Sequence, residues 1–349
     1  MHQPTPDGAL ATALPGPRGS LSEHVFDALR GAAGAQPLSG ADISDLEDEA
    51  VTLFVLQELS FRPLVGVDPA WEEEPTFVAL RAVLERRLER RLRERVGPPT
   101  GGRLSEAVRA LLDDLDGPSL SRWMEDDGEI DHLREFVVHR SAYQLKEADP
   151  HTFCLPRLAQ GATKAALLEI QSDEYGRNVP GNAHAALFAE TMAALDLHPE
   201  AGPDLDRLPA ATLATSTLLG MLGRSRRLAG ACVAHLAVFE MTSVEPMARY
   251  AATVRRLLPD DVATAAARFF DVHVAADGYH EQLAVDELLD GLELEHPDLA
   301  ADAYFGAAAL MVVEQDLTEH LLQAWQEGRS SLRHPLPGST LDGHGVEAA

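Results

Sequence analysis

Three residues of one predicted helix carry side chains that bind transition metals. His273, Asp277 and His280 lie in the segment RFFDVHVAADGYHEQ, with Asp277 four residues and His280 seven residues after His273. On a helix of 3.6 residues per turn, this spacing puts all three side chains on one face, within about 60° of arc. Phe269 and Leu283 border that face, so we expect it to point inward. Buried imidazoles and a carboxylate need a partner, which favours a metal ion over the alternative of a solvated face.

A second candidate ligand is Glu240, in the segment HLAVFEMTSVE. The predicted helix around it is almost entirely apolar, and a carboxylate in such a place needs a cation or a network of donors. A core glutamate satisfied by hydrogen bonds is the alternative. His235, five residues earlier, is interpreted as a packing residue or as one that supports the ligands from behind.

The third candidate region is LLEIQSDEYGRNVPGNAHAALF, which contains Glu174 and His184. Glycines and a proline in residues 176–181 interrupt the helix between them. An interrupted helix costs stability, and such strain is more frequent at functional sites. From the residues alone Asp173 and Glu169 compete with Glu174 as the carboxylate, and a simple helix end and turn is the alternative.

These segments together resemble the haem-oxygenase-like di-iron oxidases and oxygenases. That family carries a Glu and a His on its first core helix, a Glu on the second and His-x3-Asp-x2-His on the third. The stretches HRSAYQLKEADPHTF, QSDEYG and HLAVFEMTS also resemble its actinobacterial branch of iron-containing redox enzymes, over about residues 40–327. The resemblance implies six iron ligands, namely Glu174, His184, Glu240, His273, Asp277 and His280.

The resemblance also implies the chemistry. Two iron ions would activate O2 as co-substrate, with electrons from an external donor and with Glu240 facing both metals. Glu147 is a candidate seventh ligand, with a surface glutamate as the alternative. We favour oxidation of a small amine or amino acid, N-oxygenation first. Oxidative C–C cleavage or desaturation of an aliphatic or fatty acid is the second hypothesis, and a non-catalytic helical binding protein that has lost its metals is the third.

Cationic side chains near the ligand segments are candidates for binding a substrate carboxylate. They are Arg177, Lys146 and Arg249, with Arg140 as a further one. Lys146 is one of only two lysines in the chain and precedes Glu147. The alternative for each is pairing with this acidic protein's own carboxylates.

Composition excludes several classes of protein. The formal net charge of -27 opposes binding to nucleic acid or to an anionic membrane surface. The sequence has no apolar run of transmembrane length and no secretory signal pattern. Cys154 and Cys232 are too few for a disulfide framework, which fits a reducing cytoplasm. We therefore expect a cytoplasmic enzyme whose partners are a small-molecule substrate and an electron donor, with a homodimer left open.

Hydrophobic spacing is helical almost throughout, so the predicted fold is all-α: a haem-oxygenase-like helical bundle with an N-terminal helical extension. We divide the chain into a disordered tail (1–20), an N-terminal helical region packed on the core (21–156), the di-iron core (157–328) and a second disordered tail (329–349). Core helices are predicted at about 157–175, 183–196, 207–227, 229–256, 261–289 and 299–326.

Overall fold

The structure is a computed structural model that describes residues 12–31, 45–100, 102–114 and 116–341; the side chain of Asp277 lies outside it. These residues form helices, and the described ranges contain no β-strand beyond one isolated parallel bridge between Thr12 and Leu64. The all-α prediction is confirmed.

Within the described residues, seven helices precede the predicted core boundary. They are α1 (Ser20–Leu29), α2 (Leu46–Glu58), α3 (Pro75–Arg95), α4 (Leu104–Asp113), α5 (Leu120–Asp126), α6 (Ile130–Gln144) and α7 (Ala148–Thr152). The core then follows as α8 (Ala162–Glu174), α9 (His184–Ala194), α10 (Ala210–Arg224), α11 (Ala229–Thr242), α12 (Val244–Leu257), α13 (Asp260–Leu283), a π-helical segment (Ala284–Gly291), α14 (Leu292–Glu295) and α15 (Ala300–Gln326). Single 3-10 turns lie at Pro69–Glu73, Leu155–Arg157, Pro180–Asn182, Leu205–Arg207, Arg226–Leu228 and Pro297–Leu299.

Helix α11 is the central element of the bundle. Almost all of its residues are buried, and it packs against α10, α13, α15 and the π-helical segment. A helix that is apolar on every side belongs in a core. Its contact with α15 is close because Gly306 has no side chain: a Cβ there would lie 2.1 Å from the carbonyl oxygen of Ala231.

The predicted helix 229–256 is two helices in the structure. It breaks at Ser243, and α11 and α12, with the turn before α11 included, meet at an angle of 56°. Pro246 explains the break, because it has no N–H to donate to the preceding turn and is tolerated only in the first turn of a helix. The bend opens a space between α11, α12, α6 and α15.

The C-terminal segment also differs from the prediction of a disordered tail. Leu332, Leu336 and Leu341 are buried, and Glu135 of α6 accepts hydrogen bonds from the Ser331 backbone (2.9 Å) and hydroxyl (2.6 Å). Residues 329–341 therefore cover a polar part of α6. The rest of the predicted C-terminal tail, residues 342–349, lies outside the described residues, and so do residues 1–11 of the predicted N-terminal tail.

No single helix within the described ranges is both long enough and apolar enough to cross a membrane. The bent pair Arg226–Thr242 and Val244–Leu257 meets the length and composition limits only when its two halves are taken together.

Candidate metal centre

The break between α8 and α9 brings the first two predicted ligands together. Glu174 is the last residue of α8 and His184 the first of α9, and Oε2 of Glu174 lies 3.0 Å from Nδ1 of His184. The turn between them uses left-handed backbone at Gly176, Arg177 and Asn178, with φ of 76°, 46° and 66°. A non-glycine residue in that region is strained. The chain thus holds a costly turn that places a carboxylate against an imidazole.

Helix α13 adds His273 to this pair. Ligand atoms of Glu174, His184 and His273 all lie within 4.8 Å of one another, and all three residues are buried. Nδ1 of His273 donates to the carbonyl oxygen of Phe269 at 2.7 Å. That bond leaves Nε2 of the neutral ring with a lone pair, which is the arrangement of a metal-binding histidine.

About two turns further along α13, His280 connects two carboxylates. Its Nδ1 lies 3.2 Å from Oε2 of Glu240 on α11, and its Nε2 lies 2.9 Å from Oδ2 of Asp173 on α8. To bind a metal, His280 must release one carboxylate while the other orients the ring. Asp173 is in position to orient the ring of His280. The sequence alone left Asp173 as a competitor of Glu174 for the role of metal ligand.

Glu147 is buried beside the same group. Its pKa lies well above that of an ordinary glutamate, because burial and the nearby carboxylates Glu174 and Glu240 all disfavour its charge. The structure therefore places this residue at the cluster rather than at the surface. The surrounding segment KEADPH follows the end of α6 and has no apolar periodicity. The sequence therefore could not show whether Glu147 is buried or lies at the surface.

The pKa values of Glu240 and Glu174 shift in opposite directions. Burial, only partly offset by His280, raises the pKa of Glu240. For Glu174 burial acts in the same direction, but His184 and His273 outweigh it and lower the pKa to about 2. Burial together with His184 lowers the pKa of His273 to about 4, so this imidazole is neutral near pH 7. Neutral imidazoles and ionised carboxylates are the forms that bind a metal.

The residues fit a bound metal. Among the described residues, no hydrogen bond of good geometry reaches the buried Oε2 of Glu147, and Oε2 of Glu174 has the imidazole of His184 beside it at 3.0 Å. Buried carboxylate oxygens without donors are costly, and cations relieve that cost. A donor set of carboxylates and imidazoles suits iron or manganese better than a soft metal.

Asp277 lies in α13 between the two histidines, but its side chain lies outside what the structure describes. Nδ1 of His235 is 3.1 Å from Nε2 of His151, whose Nδ1 in turn bonds the backbone carbonyl of Glu147. This supports the interpretation of His235 as a residue behind the ligands.

The candidate cationic residues are all engaged by the protein's own carboxylates. Arg177 is exposed and pairs with Asp173, and Lys146 is buried against Glu58 of α2, on the N-terminal side. Arg249 pairs with Glu125 and Glu245, and its Nη1 donates to the hydroxyl of Ser121 at 3.4 Å. None of the three faces the cluster through a contact that the described residues record.

A cavity of about 350 Å³ lies in the space opened by the bend between α11 and α12. It adjoins the cluster through Phe269, which lines the cavity and whose ring centroid is 4.5 Å from that of His273. The remaining wall is mainly aromatic and aliphatic, with Arg140, Gln144 and Glu314 as its charged and amide groups. Glu314 was missed from the sequence, although it is the acid that ends the apolar run FGAAALMVV of α15.

Helical proteins that hold metals between facing helices build the site from carboxylates and histidines that point into the bundle. The buried cluster described above has this arrangement. The profile of the iron-containing redox enzyme family matches residues 134–315, slightly more than half of the 349-residue chain. The chain belongs to this family. The match begins within α6 and so includes Glu147, which the predicted core boundary left outside.

A solved structure of similar fold is a TenA homologue from Pseudomonas syringae pv. tomato str. DC3000. It is 15% identical, covers 63% of this chain and 90% of its own, and superposes with a TM-score of 0.48. No curated protein matches the sequence.

Proposed function

We propose that this protein is an O2-dependent non-haem di-iron oxidoreductase that oxidises a small amine or amino acid, with N-oxygenation as the favoured outcome. The observation that carries the proposal is the buried cluster of three carboxylates and three histidines, in which no hydrogen bond of good geometry from a described residue reaches Oε2 of Glu147. Membership in the iron-containing redox enzyme family supports iron as the metal.

The ligands divide into two groups. Glu174, His184 and His273 form one, within 4.8 Å. Glu240 and His280 form the other, and we assign Asp277 to it from its spacing in the sequence. Besides burial, one carboxylate of each group, Glu174 and Glu240, raises the pKa of Glu147. Its position between the two groups supports a role as a further ligand.

Two iron ions bound there would supply the electrons and open positions that O2 activation needs, and an external donor would restore them. The chain contributes orientation and exclusion of water. The carbonyl of Phe269 fixes the tautomer of His273, and Asp173 holds His280 from the side of α8. Phe188 packs edge-on against Phe269, with ring centroids 5.0 Å apart, and together they separate the ligands from bulk water on the cavity side.

An aliphatic acid is the second candidate substrate, favoured by the apolar wall of the cavity. The cation in that wall, Arg140, is however already paired with Glu314, so a lone substrate carboxylate would meet a carboxylate of the protein. This favours an amino compound. A binding protein without metal would have no reason to keep a buried group of mutually repelling carboxylates.

The test is anaerobic loading with Fe(II), followed by metal analysis and measurement of O2 consumption with amino acids and amines present. We expect about two irons per chain, and consumption that depends on an added reductant and a substrate. Glu240→Ala should lower iron content and abolish substrate-dependent consumption. His235→Ala removes a buried side chain from the same helix and should retain both; a chain that binds no iron would refute the proposal.

A further inference from the structure

The cavity beside the cluster contains an ion pair that is part of its wall. Nη1 and Nη2 of Arg140 on α6 donate to Oε1 and Oε2 of Glu314 on α15, at 2.7 and 2.5 Å. The two side chains are 14% and 17% exposed, and both line the cavity. This fork-to-fork arrangement presents one positive and one negative charge, side by side, to whatever enters.

Gln144 supplies a second and independent observation. Its side chain is buried and lines the same cavity, and its Oε1 receives no hydrogen bond from any described residue. Gln144 lies four residues after Arg140, one turn along α6, so both groups belong to the same face. A buried acceptor without a donor is costly, and an ammonium group of a ligand would satisfy it.

We infer that the Arg140–Glu314 cavity binds a zwitterionic α-amino acid with an apolar side chain. Arg140 takes the ligand carboxylate, Glu314 and Gln144 take its ammonium group, and the aromatic wall takes its side chain. The inference rests on the proposed function, since it names the substrate class of that site.

Charge balance is the reason for a zwitterion. The pair has no net charge, so a ligand with one positive and one negative group leaves the buried site neutral. A fatty acid would add an uncompensated negative charge and a simple amine an uncompensated positive one, and an unpaired buried ion is strongly disfavoured. The same pair therefore selects against both single-charge ligands.

The remaining wall fits the apolar part of such a ligand. Phe136, Phe239, Phe270, Met247 and Met311 line the cavity, whose volume of about 350 Å³ lies within the range of small-ligand sites. Met side chains adapt to irregular shapes, and aromatic rings offer large apolar area. Phe239 directly precedes Glu240 in α11 and Phe269 contacts the ring of His273, so this wall of the cavity adjoins the candidate metal ligands.

The experiment is calorimetric titration of the full chain after iron removal, with matched ligand triplets. One triplet is leucine, 4-methylpentanoate and 3-methylbutylamine; the other is phenylalanine, 3-phenylpropanoate and 2-phenylethylamine. In at least one triplet we expect the amino acid to bind at least about tenfold more tightly than either single-charge analogue. If the acid or the amine binds as well as the amino acid in both triplets, or if nothing binds, the inference is wrong.

Glu314→Gln provides a change of specificity that loss of structure would not produce. It frees Arg140, so the acid should gain affinity relative to the amino acid, reversing or abolishing the preference. Asp316→Asn is the matched control, because Asp316 also lies on α15 and also forms a two-bond pair, with Arg95, but on the exposed surface. It should leave the preference intact. Equal loss of affinity for all three ligands in Glu314→Gln would contradict the assignment.

These measurements do not require iron, so the two proposals can fail separately. Preference for the zwitterion in a chain that never binds iron would refute the proposed function and keep the cavity assignment. Iron binding and O2 consumption without any preference for amino acids would do the opposite.

Discussion

Replacing Glu147 by Gln should stabilise the iron-free protein while it weakens iron binding. Glu147 is buried, and among the described residues no hydrogen bond of good geometry reaches its Oε2. Burial first, and then Glu174 and Glu240, raise its pKa well above the ordinary value. In the absence of metal its charge is therefore unfavourable, and an amide of the same shape removes that charge.

The magnitude follows from linkage between protonation and folding. In the unfolded chain Glu147 loses its proton near pH 4.3, whereas in the folded chain it keeps the proton to a higher pH. Wild-type stability therefore falls by up to about 1.4 kcal/mol per pH unit between those two pKa values, and Gln does not titrate. We expect Glu147→Gln to be about 1–3 kcal/mol more stable at pH 7.5 and no more stable than wild type below about pH 4.

Urea denaturation with a chelator present, at several pH values, measures this gain. Iron analysis after anaerobic Fe(II) loading measures iron binding. We expect the variant to bind less iron and to gain less stability from the iron that it binds. A variant that is less stable without iron across the whole pH range, and that keeps normal iron content, would refute the placement of Glu147 in the cluster.

Glu135→Gln is the matched control, with the opposite expected sign. Glu135 is also fully buried, but it accepts bonds from Trp325 (2.8 Å), Ser330 (2.5 Å) and both the backbone and hydroxyl of Ser331. An amide turns one acceptor oxygen into a donor that faces other donors. We expect a loss of about 1–3 kcal/mol, with iron content unchanged.

Two further predictions concern stability away from the ligands. Burial lowers the pKa of His139 well below 6.5, so below that pH the unfolded chain takes up a proton at this residue and the folded chain does not. His139→Asn should therefore reduce the loss of unfolding free energy on acidification by up to about 1.4 kcal/mol per pH unit, and denaturation at pH 5.5 and 7.5 measures that difference. Gly306→Ala should cost about 1–3 kcal/mol or more and lower iron retention, because its Cβ would meet a carbonyl of α11 at 2.1 Å; Gly278→Ala, whose Cβ meets nothing within 4 Å, should be neutral or stabilising in chelator.

The helical fold was predictable because its signals are local. Apolar spacing of 3.6 residues runs through the segments that became α8 to α15, and Glu240 stood out as an acid in an apolar helix. The break at Ser243 was missed even though Pro246 marks it, because a proline in the first turn of a second helix and one inside a continuous helix look alike in an apolar run.

What could not be predicted depends on contacts between distant residues. Arg140 and Glu314 are 174 positions apart, and nothing in either segment shows that the two will pair across a cavity. Asp173 and Glu174 are neighbours in sequence with the same chemistry. Only tertiary structure separates them, since Asp173 lies toward Nε2 of His280 on α13 and Glu174 toward His184 on α9. Local pattern identifies candidate ligands, but tertiary packing assigns their roles.

The break between α8 and α9 shows why the site requires a strained turn. In one continuous helix, residues ten positions apart lie about 15 Å apart along the axis and on different faces. Glu174 and His184 could not then approach to 3.0 Å. The chain must leave α8 at Glu174 and reverse within nine residues, which it does through consecutive positive φ angles at 176–178. Gly176 is required there, because a Cβ would lie 2.5 Å from the backbone nitrogen of Ala183. A strained stretch of backbone is therefore the part that joins a carboxylate and an imidazole into one candidate metal site.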